Sequence, residues 1–303
     1  MPPTSSTILE RLLAAYQRGE RLVLVFDYDG TLTPLVAHPR LARLDPALRD
    51  VLARLAATPR VTVGVVSGRG LDDLIGMVGL KGLSYGGSTG LELELAGERR
   101  IPTEALESRA LLDALRAASE ICLAVYPGAW VENKPFGFTV HYRQLAPDRI
   151  ESLRTEMADL LEPHAASLHV LDGPMAIEVV PAIERDKGTA LRAIVAHDGA
   201  EPATVLYAGD AANDAHALAA AAELGGIALG VGPEPPSVVD YRLPDPAALT
   251  ELLVGLAGAL ATTPEMQAFT PSPPLPPARG GEVQQLTVAQ NSLPPCGGGY
   301  RTY

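Results

Sequence analysis

Four apolar runs, at 22–26, 61–66, 204–208 and 227–231, recur along the chain, and helical spacing of apolar positions follows at 46–57, 71–78, 187–197 and 214–223. A run as continuous as Leu22-Val-Leu-Val-Phe26 lacks the alternation of a half-exposed strand. It predicts a strand buried on both faces, as parallel strands are. Strands alternating with helices predict an α/β fold built on a doubly wound, Rossmann-like parallel sheet.

The texture changes between about 106 and 180. A helical pattern over 104–119, a strand pair around Trp130 to Arg143, a second helix over 147–162 and two strands joined at Asp172-Gly173 predict a small α+β insertion. The expected organisation is a core made of 1–105 and 181–262, an inserted α+β cap domain at 106–180, and a tail at 263–303. The tail is rich in Pro and Gly and poor in large apolar residues, a composition that predicts disorder.

Composition narrows the partners. A net charge of -12 over 303 residues argues against nucleic acid or an anionic membrane as the main partner, since either needs a basic face. An anionic small substrate then requires a locally positive site. The two cysteines, Cys122 and Cys296, form neither a disulfide framework nor a zinc spacing, which fits a reducing, cytoplasmic setting. The N-terminus has no basic leader, and the apolar stretch Leu249–Ala261 is interrupted by Glu251 and falls short of the roughly 20 residues a bilayer needs. No membrane segment is expected. Among 24 lysines and arginines only Lys81, Lys134 and Lys187 are lysine. Where arginine fills the generic surface positions, a retained lysine points to a need for a compact ammonium group.

Chemistry gathers where the runs end. The first leads into Asp27-Tyr28-Asp29-Gly30-Thr31, two carboxylates one residue apart at a glycine turn. An EF-hand calcium loop is excluded, because its bidentate glutamate would fall on His38 and it would follow a helix. The run 61–66 leads into Ser67-Gly68-Arg69, whose hydroxyl and amides suit a phosphate at a helix N-terminus; a plain N-cap at Ser67 is the alternative. Lys187 opens a helix, where its charge opposes the dipole, and an anion to neutralise explains it there. The run 204–208 leads into Gly209-Asp210 and Asn213-Asp214, carboxylates four residues apart on one side of a first turn, with capping by Asp210 as the alternative. Asp27, Ser67 and Asp210 each follow a strand of one inferred sheet, so their side chains converge on one edge. Carboxylates, a hydroxyl and a lysine there make an oxygen-ligand site for Mg²⁺ beside a phosphate.

In this order the four motifs resemble those of the haloacid dehalogenase superfamily, and the insertion is similar to the cap of its trehalose-6-phosphate phosphatase family. Supporting strings are Asp27-Tyr-Asp-Gly-Thr-Leu-Thr-Pro34, Gly87-Ser-Thr-Gly-Leu-Glu92, Val131-Glu-Asn-Lys134 with His141-Tyr-Arg143, and Glu178-Val-Val-Pro181 before Asp186-Lys-Gly. The resemblance implies a Mg²⁺-dependent phosphomonoester hydrolase. Asp27 would be the nucleophile that forms an aspartyl-phosphate, and Asp29 the acid and then the base. Mg²⁺ would be held by the Asp27 carboxylate, the Asp29 carbonyl and Asp210, with Lys187 offsetting charge and Asp214 orienting Lys187 or a metal-bound water. Ser67, Thr31, Gly68 and Arg69 would serve the phosphate end. Glu132, Lys134, Arg143 and Glu178 would grip the sugar, although the residues alone read equally well as a solvated charged face.

Trehalose 6-phosphate is the implied substrate, and sucrose phosphate or glucosylglycerate phosphate are alternatives. The chain departs from the family at Asp210-Ala-Ala-Asn213-Asp214, where a second Asp usually follows the first, and at Ser88-Thr89-Gly90, where a His-Gly pair is usual. A catalytically silent sugar-phosphate sensor is the alternative from another class. A trehalose-phosphate synthase is the protein partner that such a pathway implies.

Overall fold

Residues 22–26 are all buried, as their unbroken apolar run predicts, and they lie in the middle of an eight-stranded sheet. The computed structural model describes residues 3–262 apart from 37, 174 and 200–202, so the expected tail at 263–303 lies outside the described residues. The sheet runs in the order β12 (Tyr241–Leu243), β11 (Ile227–Val231), β10 (Ala203–Gly209), β1 (Arg21–Phe26), β2 (Val61–Val66), β3 (Ser84–Gly87), β4 (Glu92–Leu95), β5 (Glu98–Arg100). From β12 to β3 every pairing is parallel; β4 and β5 extend the edge antiparallel. The chain leaves β1 for β2 on one side and returns through β10 on the other. That reversal of strand order opens a crevice at the carboxyl ends, where open α/β sheets bind ligands.

Strand alternation decides how the two faces are covered. Leu22, Leu24 and Phe26 share a core with Ile8 and Leu12 of α1 (Pro3–Gln17), Leu48 and Leu52 of α2 (Pro46–Ala57), Leu74 of α3 (Leu71–Val78) and Leu252 of α8 (Pro246–Ala261). Val23 and Val25 pack instead with Leu191 and Ile194 of α6 (Lys187–Asp198) and Leu218 of α7 (Ala215–Glu223). The helices start where local chemistry allows. Asp45 and Asp245 each accept a backbone N–H just ahead of a proline-led first turn, and Asp186 forms a reciprocal capping box with Thr189.

Between β5 and α6 lie α4 (Thr103–Cys122), β6 (Trp130–Lys134), β7 (Gly137–His141), α5 (Ile150–Leu161), β8 (Leu168–Gly173) and β9 (Ala176–Pro181). Their strands form an antiparallel sheet in the order β6-β7-β9-β8. One face buries Phe138, Val140, Ile177 and Val179 against Leu112 and Leu115 of α4 and Leu153 and Met157 of α5. The other face carries Trp130, Glu132, Lys134, Thr139, His141 and Glu178, all at same-side register positions. The hairpin differs from its expected form: Asp172 and Gly173 pair with Ile177 and Ala176, so the chain reverses after the Asp-Gly pair. Both sheets belong to one compact unit. Among the described residues no helix is long and apolar enough to cross a membrane.

Candidate active site

The chain leaves β1 at Asp27, only 3% exposed, and turns sharply through 28–33, where Gly30 N–H donates to Thr33 O and Thr33 N–H to Tyr28 O. Gly30 sits at φ 87°, and a Cβ there would lie 2.1 Å from Asp210 Oδ2. Glycine is therefore required twice, by backbone conformation and by the approach of a carboxylate from β10. Gly30→Ala is expected to destabilise the fold by about 2 kcal/mol or more. Urea unfolding measures this, and an unchanged midpoint would mean that the Asp27 and Asp210 loops do not meet.

Lys187 starts α6 and is 1% exposed, so it is no solvated decoration. Its Nζ donates to Asp27 Oδ1 at 2.5 Å and Asp214 Oδ1 at 2.8 Å, with Asn213 Oδ1 at 3.4 Å. Burial works against the ammonium, but Asp27 and Asp214 outweigh it and raise its pKa. Lys187 thus stays charged. The Asp27 carboxyl is pushed up to about 8 by burial, with Lys187 opposing and Asp214 and Asp210 adding to the rise. Burial and Asp214 raise Asp210 as well.

Asp214 is held from several sides. Its Oδ1 accepts from Lys187 and from the Tyr207 hydroxyl at 2.7 Å, and its Oδ2 accepts from the backbone N–H groups of Asp210 and Ala211. Four donors occupy the lone pairs of both oxygens. The capping alternative for Asp210 therefore falls: Asp214 ties down that turn, and α7 begins only at Ala215. Asp210 takes a long contact from Thr31 Oγ1 at 3.4 Å and hydrogen-bonds to the Asp27 carboxyl. Gly209 lets Asp214 approach, since a Cβ there would lie 2.4 Å from the Asp214 Cγ.

Across the crevice Arg69 grips Asp29 as a fork, Nε to Oδ2 at 2.7 Å and Nη2 to Oδ1 at 2.8 Å. The guanidinium stays charged: its pKa rises even though burial opposes it, because Asp29 and Asp73 pair with it. Ser67, buried after β2, accepts the Arg69 N–H at 3.2 Å. It does not cap α3, whose cap position is Gly70. The neighbouring 88–90 turn packs onto this loop through Thr89 N–H to Ser67 O and Ser88 N–H to Arg69 O.

The donor set suits a hard divalent cation. Asp27, Asp210 and Asp214 each offer an oxygen within 4.8 Å of the others. Three carboxylates face one ammonium, so ionising all three, as a bound cation would favour, puts two net negative charges in a buried place; with Asp214 saturated, the oxygens left for a cation belong to Asp27 and Asp210. In the inserted sheet, Lys134 Nζ donates to Glu178 Oε1 at 2.5 Å, and Glu132 Oε2 lies 2.8 Å from His141 Nε2. Arg143 lies exposed two residues beyond the end of β7.

Sequence reasoning missed Tyr207, which sat unremarked in an apolar run. Its one signal is the only aromatic ring in its strand, carrying a hydroxyl seven residues ahead of Asp214. It also missed the fork between Arg69 and Asp29, whose partners are 40 residues apart in the chain.

The family model described as trehalose-phosphatase matches residues 25–238. A trehalose-phosphate phosphatase of Mycobacterium tuberculosis is 37% identical over 199 residues, covering 64% of this chain and 49% of that protein. The chain thus spans about half the length of its mycobacterial relatives. A trehalose 6-phosphate phosphatase of Zea mays is 29% identical over 273 residues, 84% of this chain and 74% of the other. Among solved structures, the C-terminal domain of Candida albicans trehalose-6-phosphate phosphatase aligns with a TM-score of 0.67 at 25% identity, over 83% of this chain and 97% of that one. The C-terminal domain of the Candida albicans trehalose synthase regulatory protein shares the fold alone, with a TM-score of 0.62 at 14% identity.

Proposed function

Because the chain belongs to the trehalose-phosphatase family, we propose that it hydrolyses trehalose 6-phosphate to trehalose and phosphate, through an aspartyl-phosphate at Asp27 and with Mg²⁺ held by Asp27 and Asp210. The observation that carries this reading is the buried triangle in which Lys187 binds one oxygen of Asp27 and one of Asp214. Lys187 holds the Asp27 carboxylate still and takes part of its charge, so the other oxygen is left to attack phosphorus. When bound, Mg²⁺ would cancel the remaining negative charge and let a phosphate dianion approach.

Asp29 serves the leaving sugar oxygen, giving it a proton and then taking one from water. It stands at the mouth of the crevice, held by both arms of the Arg69 fork. For Asp29 to carry a proton one arm of the fork must let go, and that arm can then turn to the phosphate. Ser67 Oγ and the amides of Gly68 and Arg69 line the same edge, and Thr31 steadies Asp210. Glu132, Lys134, Arg143 and Glu178 present acceptors and cationic donors for sugar hydroxyls when the cap closes. A trehalose-phosphate synthase enters as a partner through the name of the Candida regulatory protein alone, and co-elution of the two proteins tests it.

Phosphate release with Mg²⁺ is the test of substrate. Trehalose 6-phosphate is expected to give the highest kcat/KM in a panel with sucrose phosphate, glucosylglycerate phosphate and glucose 6-phosphate. Turnover of trehalose 6-phosphate no faster than that of glucose 6-phosphate would overturn the substrate, and a wild type silent on the whole panel would favour the sensor.

Metal binding and pH are linked through Asp27. Its folded pKa of about 8 lies above the ordinary 3.8, so the metal-free fold loses stability as pH rises through that interval. Cation binding needs the carboxylate form, and the stabilisation by Mg²⁺ is expected to grow from pH 5 to pH 8. Thermal unfolding with and without saturating Mg²⁺ across that range checks it; a Tm gain independent of pH would place the metal elsewhere.

A further inference from the structure

An aromatic pair on the polar face of the inserted sheet takes no part in the chemistry above. Trp130 opens β6 directly opposite His141 at the end of β7, and the rings stack with centroids 4.3 Å apart and 21° between planes. The contact of His141 with Glu132 Oε2 braces the stack from one side. Trp130 itself stays 46% exposed and is the only tryptophan in the chain.

A second, independent observation lies in the middle of the same face. Thr139 pairs with Glu132 on one side and Glu178 on the other, is 5% exposed, and its Oγ1 has no hydrogen-bond partner. A buried hydroxyl without a partner costs free energy unless something supplies one. The face is turned toward the catalytic crevice. His141 holds the Glu132 carboxyl below its usual range against burial, and Lys134, His141 and Arg69 of the crevice add to that field. Pro135, just after β6, packs so closely on Gly70 that a Cβ there would lie 2.7 Å from its Cγ. Lys134 is therefore at the phosphate end, and Trp130 stands about 13 Å further along the strand.

A pyranose offers an apolar face of C–H groups and a rim of hydroxyls, so an open aromatic plane beside carboxylates and a hydroxyl matches both. We infer that Trp130, braced by His141, is the stacking platform for the sugar ring that does not carry the phosphate, with the Thr139 hydroxyl meeting that ring's rim. This rests on the disaccharide-phosphate reading and makes Trp130 a specificity-determining residue, contributing to binding more than to the chemical step.

Trp130→Ala is expected to raise KM for trehalose 6-phosphate about tenfold more than KM for glucose 6-phosphate, which has no second ring, with kcat little changed. Trp130→Phe keeps a plane and is expected to recover most of the difference. Emission from the single tryptophan supplies a readout without turnover: trehalose added to the wild-type protein should change it saturably. Equal KM changes for the two substrates, or emission unmoved at trehalose concentrations that inhibit the reaction, would overturn the platform while the wild-type preference for the disaccharide stands. A wild type with no such preference would overturn the functional reading and the platform with it.

Discussion

Asp27→Asn is expected to lower kcat by about 10⁴-fold or more, and in Mg²⁺-free buffer to leave the protein at least as stable as wild type. An amide cannot supply the attacking carboxylate oxygen. It does fill the same space, and it removes one of three carboxylates that share a single buried ammonium. Lys187 keeps its 2.8 Å bond to Asp214. Ionising Asp27 weakens the metal-free fold as pH rises from about 4 toward about 8, and the amide is spared that loss. The Tm of the variant should therefore exceed that of wild type by more at pH 8 than at pH 5. Saturating Mg²⁺ should close the gap by raising the wild type alone. This is the trade of stability for activity expected where a reactive carboxylate is kept buried.

Lys187→Met is the opposite case and is expected to cost about 3–5 kcal/mol of stability near neutral pH, together with activity. Here the carboxylates stay and their cation goes. Asp214 retains Tyr207 and two backbone N–H groups, but Asp27 loses the ammonium that donates to it. Carboxyls whose folded pKa values are raised favour the fold while protonated, so the loss should be smaller at pH 5 than at pH 7.5. Urea denaturation at the two pH values measures it. Lys187→Arg should restore little, because a planar fork does not fit a point contact shared between two buried carboxylates. A cost below about 1 kcal/mol at both pH values would show the ammonium to be dispensable to the fold.

Much of this arrangement was legible because sheet topology converts strand order into proximity. Asp27, Ser67 and Asp210 each follow an apolar run, and parallel pairing of β10, β1 and β2 sets their strand ends side by side. Lys187 was legible for a different reason: it stands in a first helical turn that disfavours it, in a chain that otherwise uses arginine. What was not legible depends on side-chain reach across the fold. The spacing of Asp210 and Asp214 put them on one side of a turn, and the family resemblance implied that Asp214 orients Lys187, but the Tyr207 hydroxyl and the two backbone N–H groups that Asp214 also accepts were not legible. Arg69 was expected at a phosphate and is found on Asp29, since a carboxylate within reach of a fork competes for the same geometry.

Elsewhere the same division holds. The helix at Pro3–Gln17 has Ile8, Leu12 and Tyr16 four residues apart, and it gains its burial from packing on α8 and β1. In the inserted sheet, Phe138, Val140, Ile177 and Val179 alternate with polar positions, and the structure buries that apolar side. The charges on the other side did not reveal their purpose, because a solvated face and a ligand-binding face use the same residue types. The buried, unpartnered hydroxyl of Thr139 is what distinguishes them, and it exists only in three dimensions.

The most direct measurement is chemical trapping of the intermediate. Protein turning over trehalose 6-phosphate with Mg²⁺ is quenched, reduced with borohydride and digested, which converts an aspartyl-phosphate to homoserine at the residue that carried it. Homoserine at position 27, absent when no sugar phosphate is added and absent in Asp27→Asn, is the expected result. Phosphate released from trehalose 6-phosphate with position 27 unmodified and homoserine at another aspartate would contradict the assignment of Asp27 as the nucleophile.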